Sequence, residues 1–111
     1  VLERLEQDGY VLCCATNSVR HSAIVQLTRR GFIDHLEFVF TNQDVVNPKP
    51  NTEIYLRCMI KAGVSPKETI ILEDSELGRR GAKETGSRVL EIRDSADVTY
   101  VKIRKFIENV K

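Results

Sequence analysis

The stretch Thr69-Ile70-Ile71-Leu72-Glu73-Asp74-Ser75-Glu76-Leu77-Gly78 runs from an unbroken apolar segment into two carboxylates and a hydroxyl, and then into a helical pattern. Apolar residues in continuous sequence read as a strand covered on both faces. The helix that follows carries Gly78, Gly81 and Ala82 on one side, small enough to bring it close against a sheet. A strand that delivers polar residues straight into a helix is the repeating unit of an open parallel sheet, where ligands bind outside the carboxyl ends of the strands.

The same unit recurs on either side. Leu2 and Leu5 belong to a helix closed by Asp8-Gly9, and Tyr10 to Ala15 form a second apolar run, read as covered on both faces, that ends at Thr16-Asn17-Ser18. Ala23, Ile24 and Leu27 space a crossover helix over 19–30, stopped by Gly31. Phe38, Val39 and Phe40 mark a short strand over 37–41, and the loop after it holds Lys49 between Pro48 and Pro50. Asn51 or Thr52 suits the cap of a helix with the buried stripe Tyr55, Cys58, Met59 and Ala62, ending near Gly63 and Pro66. Downstream, 88–92 reads as a fourth strand. A helix from about Asp97 carries Val98, Val101, Phe106, Ile107 and Val110. The alternation predicts an α/β fold in three layers, a Rossmann-like parallel sheet of about four strands with flanking helices and right-handed crossovers.

With 111 residues there is room for one domain and no second, so 1–111 is read as a single unit without repeats or linkers. A hydrophobic fraction of 41% and a charged fraction of 30% are those of a globular protein, and 17 basic against 16 acidic residues leave the net charge near zero, too little to draw nucleic acid. The basic clusters Arg79, Arg80, Lys83 and Lys102, Arg104, Lys105 are interleaved with acids and read as solvated helix faces. No apolar run reaches membrane-spanning length and none reads as a signal peptide, so the expected compartment is the cytoplasm. Cys13, Cys14 and Cys58 match neither a disulfide framework nor a zinc spacing and read as small buried residues. His21 and His35 read as surface or capping residues, and Asp97 as a helix cap.

Three polar groups fall at strand exits: Thr16, Asn17 and Ser18 after the first strand, Lys49 after the second, and Glu73 with Asp74 after the third. A transferring phosphoryl group spreads negative charge over its equatorial oxygens, so it calls for hydroxyl and amide donors and a cation. Hard carboxylate oxygens suit a magnesium ion beside it. Taken singly, each group has a plain role, as a helix cap, an exposed loop lysine or acids matched to a helix dipole. Their joint placement favours a phosphoryl site.

In this order and spacing, Val11-Leu12-Cys13-Cys14-Ala15-Thr16-Asn17-Ser18, Lys49-Pro50 and Ile70-Ile71-Leu72-Glu73-Asp74-Ser75-Glu76-Leu77-Gly78 resemble the second, third and fourth motifs of the haloacid dehalogenase-like superfamily, in the form of its phosphatase and sugar-phosphate mutase branches. The resemblance covers nearly the whole chain. It implies that Thr16 and Asn17 contact phosphoryl oxygens, that Lys49 stabilises charge on nucleophile and phosphate, and that Glu73 and Asp74 bind Mg2+ directly or through water. Ser18 and Arg20 are expected to help with substrate, which would be a small phosphorylated molecule.

The family's first motif, a strand ending in Asp-x-Asp that supplies the nucleophile, has no counterpart here, and neither does the cap that sets substrate choice. The chain is therefore expected to be a partial core, inactive alone, that depends on a missing N-terminal segment or another chain to complete its sheet. The slot left between the strands at Tyr10 and Thr69 is expected either to be filled by another segment or to close up, because buried unpaired backbone is costly. A noncatalytic remnant that binds phosphate, Mg2+ or a protein partner is the alternative. A phospho-acceptor receiver domain has a similar Asp, Thr and Lys set, but in the reverse order.

Overall fold

A computed structural model describes residues 1–110, apart from the side chain of Ser95. The chain alternates as its apolar pattern predicts: α1 (Leu2–Gln7), β1 (Cys13–Ala15), α2 (Arg20–Arg29), β2 (Phe38–Phe40), α3 (Glu53–Ala62), β3 (Ile70–Glu73), α4 (Glu76–Glu84), β4 (Arg88–Glu91) and α5 (Tyr100–Val110). Gly63 ends α3 in the left-handed region at φ 72°, where a side chain would strain the backbone. None of the described helices is long and apolar enough to cross a membrane.

β1 pairs with β2 in parallel, Cys14 opposite Val39, and β3 pairs with β4 in parallel, Ile71 opposite Val89. These are two separate two-stranded sheets. The expectation that β1 and β3 close up against each other is not met, and no strand of the described residues lies between them. The helical layers hold the two pairs together instead. On one face Ile54, Tyr55 and Met59 of α3 and Ala82 of α4 pack against Ala15 and Phe40 of the first pair and Ile71 and Val89 of the second. On the other, Leu5 of α1 with Ile103 and Ile107 of α5 packs against Leu12 of the first pair and Ile70, Leu72 and Leu90 of the second. Ile70, Ile71 and Leu72 thus split between the two faces, as the two-residue period of a strand requires.

This division corrects several expectations. Tyr10–Ala15 is not covered along its whole length: Leu12 and Ala15 pack into the cores on the two faces, but Val11 is 55% exposed, and Tyr10 is exposed as well. The cysteines are likewise not uniformly buried; Cys13 is exposed, Cys14 half-buried and Cys58 buried. In α5 the buried residues are Ile103 and Ile107, whereas Val101 is exposed. The helix begins three residues beyond Asp97. Asp97 accepts from the Arg93 amide at 3.0 Å and pairs with Lys102, while Thr99 Oγ1 takes the capping bond from the Lys102 amide at 3.2 Å.

Candidate functional site

The carboxyl ends of β1 and β3 open onto one cavity of about 340 Å³, lined by Thr16, Asn17, Ser18, Lys49, Glu73, Asp74 and Ser75. Thr16, Asn17, Ser18, Lys49, Glu73 and Asp74 are therefore all at the same rim. Thr16 continues the β1 ladder through its amide to Phe40 O at 3.0 Å, and its hydroxyl accepts from the Ser18 amide at 3.1 Å, which folds the exit into a tight turn. Asn17 Oδ1 accepts from the Lys49 amide at 3.1 Å. That bond ties the loop after β2 to the loop after β1, thirty-two residues earlier in sequence.

Lys49 lies at the centre. Its ammonium donates to the Ala15 carbonyl at 3.0 Å and to Glu73 Oε2 at 2.7 Å, and the side chains of the ion pair are only 9% and 8% exposed. An ammonium has three donors, so one remains for a ligand. Burial pushes the Glu73 carboxyl up, but the Lys49 hydrogen bond and charge, with the Tyr55 hydroxyl and the Ser75 amide, outweigh it and hold the group below the usual carboxylate range. Burial also pushes the nearby Cys14 thiol up to about 11, against the pull of Lys49.

The helix α4 is seated against this pair by its glycines. A Cβ at Gly78 would stand 2.2 Å from Glu73 Cδ, and one at Gly81 would stand 2.5 Å from the Pro50 carbonyl oxygen. Ser75 caps α4 by accepting from the Gly78 amide at 2.9 Å. Asp74, one residue beyond β3, is exposed, and no ion pair engages its carboxylate among the described residues. Arg20, expected near substrate, is not at the rim; its guanidinium bonds to Val39 O and to Asp44 Oδ2, each at 3.1 Å.

Two features escape the sequence pattern. Tyr55, read only as core, sets its hydroxyl 2.7 Å from Glu73 Oε2 and 3.0 Å from the Gly78 carbonyl oxygen. The signal for it is a tyrosine in a buried stripe, since a buried phenol nearly always finds a partner. Asp44, for which the pattern gives no role, accepts from the Thr41 amide at 2.8 Å and from Arg20, and so anchors the turn after β2.

As a metal site the donor set is partial. No cluster of three or more His, Cys, Asp or Glu side chains suited to a metal exists among the described residues. Magnesium retains several waters and commonly takes only one or two carboxylates, so the exposed Asp74 and the second oxygen of Glu73 fit one side of such a shell.

A two-sided α/β sandwich thus gathers a lysine, hydroxyls and adjacent carboxylates at its strand ends, where open α/β sheets bind their ligands. The chain belongs to the haloacid dehalogenase-like hydrolase family, whose pattern it matches over residues 1–92. It is 34% identical over 91 residues to an uncharacterized protein of the fgs 3' region of Lacticaseibacillus casei, covering 82% of this chain and 41% of that protein. It is 29% identical to a phosphorylated carbohydrates phosphatase of Thermotoga maritima over 77% of this chain and 39% of the relative. Among solved structures, a HAD phosphatase from Thermococcus onnurineus superposes with a TM-score of 0.82 at 28% identity, covering 96% of this chain and 54% of that one. The chain thus spans well under half the length of these curated relatives.

Proposed function

We propose that this chain supplies the phosphate-binding and metal-binding half of a magnesium-dependent phosphoryl-transfer site, working on a small phosphorylated substrate through an aspartyl-phosphate formed on a residue outside these 111. Hydrolysis of a phosphate monoester is the reaction, and a sugar-phosphate mutase would share its first half. The observation that carries the reading is the meeting, at one cavity, of Thr16, Lys49 and the Glu73-Asp74 pair from three separate strand ends.

In this reading the Thr16 hydroxyl and the amides beyond it hold phosphoryl oxygens, and the free N–H of Lys49 neutralises charge that grows on them and on the nucleophile. Asn17 keeps Lys49 in place through the loop backbone. Magnesium, held by Asp74 with Glu73, would add electrostatic stabilisation of the same oxygens. Burial of the Lys49–Glu73 pair keeps the ammonium poorly solvated, which strengthens its hold on an anion.

The test is twofold. This chain alone, given an aryl phosphate and Mg2+, should release no phosphate, and rapid turnover would show that no outside nucleophile is needed. In the longer protein, Asp74→Asn should reduce magnesium-dependent activity by at least about a hundredfold, as loss of a charge-stabilising group does; an unchanged rate would remove Asp74 from the metal site.

A further inference from the structure

Lys49 reaches the cavity with two of its three N–H groups already committed, to Ala15 O and to Glu73 Oε2. Where the third one goes depends on how firmly Glu73 is held. The Glu73 carboxylate is fixed by more than the lysine: the Tyr55 hydroxyl sits 2.7 Å from the same oxygen, Ser75 Oγ donates to the other at 3.4 Å, and the bare backbone of Gly78 closes over its carbon. Of these, Tyr55 alone comes from the buried face of α3. Tyr55 is 3% exposed, its ring lies 5.2 Å from the Lys49 nitrogen, and its single proton is shared between Glu73 Oε2 and the Gly78 carbonyl.

We propose that Tyr55 is a positioning residue for the phosphoryl site: its hydroxyl fixes the Glu73 carboxylate and, through it, aims the remaining N–H of the Lys49 ammonium at an anionic oxygen in the cavity. The inference rests on the function proposed above for the same site. Chemically it assigns the phenol a role a phenylalanine cannot fill. Without that proton, Glu73 Oε2 would have Lys49 as its one strong donor, and the carboxylate and ammonium would be free to swing together.

The experiment compares the chain with its Tyr55→Phe variant, which keeps the ring and its packing, by two readouts. Nitrogen-15 spectroscopy of the lysine side chain should show a slowly exchanging Lys49 ammonium in the parent and an exchange rate raised about tenfold or more in Tyr55→Phe. Calorimetric titration with inorganic phosphate should show affinity about fivefold to tenfold weaker in the variant, the scale of one ordinary hydrogen bond. Unchanged ammonium exchange together with unchanged phosphate affinity overturns the proposal. If the parent itself takes up no phosphate, the function proposed above fails, and the ammonium readout still decides the role of Tyr55. One measurement needs no variant: the Tyr55 hydroxyl proton should persist as a slowly exchanging resonance close to the Lys49 ammonium protons, and its absence in a folded parent also overturns the proposal.

Discussion

The two halves of the sheet reach the same cavity in different ways. β3 ends in a buried glutamate held by Lys49 and Tyr55, against a helix whose glycines leave no space between them. β1 ends in a turn made by the Thr16 hydroxyl, and the run leading to it is partly bare, with Val11 and Cys13 exposed. The difference teaches where rigidity lies. The carboxylate side of the site is built into the core, while the hydroxyl side is local and is steadied chiefly through Asn17 and Lys49.

Substitutions should divide the same way. The largest effect is expected for Lys49→Met, which leaves Glu73 buried without its cation and should cost about 3–5 kcal/mol of stability in urea unfolding; a loss no larger than that of a surface change would mean the pair is solvated and the contrast is wrong. Next comes Gly81→Ala, whose methyl would meet the Pro50 carbonyl and cannot be relieved by a rotamer change. It should cost about 1–3 kcal/mol by the same measurement. The smallest is Cys13→Ser on the open strand, expected to stay within about 0.5 kcal/mol. A larger penalty there would show that β1 is as tightly integrated as β3.

Much of this arrangement is legible in the amino-acid order. Apolar runs that end in polar residues place Thr16, Lys49 and Glu73 at strand exits, and alternation with helices puts those exits at one rim. Gly78, Gly81 and Ala82 announce the close seat of α4, and all three are buried. The place of the division is legible through the family resemblance, which leaves a slot between the strands at Tyr10 and Thr69; that β1 and β3 stay apart is not, because the periodicity of a single strand does not encode how sequence-distant strands pair. Tyr55 is hidden for a different reason: helical spacing counts its ring as core and is silent about its hydroxyl. Arg20 misleads because a resemblance in motifs says nothing of the competing acceptors, Asp44 and Val39 O, that the fold brings to it.

The contact between Gly81 and the Pro50 carbonyl joins main chain to main chain. Such a joint has no rotamers to exchange, so the fluctuations of the loop are limited by the stiffness of peptide units and not by the slack of side chains. The backbone of Lys49 inherits that narrow amplitude, and with its ammonium tied to Ala15 O and Glu73 an incoming anion would meet a charge whose location was already settled before arrival.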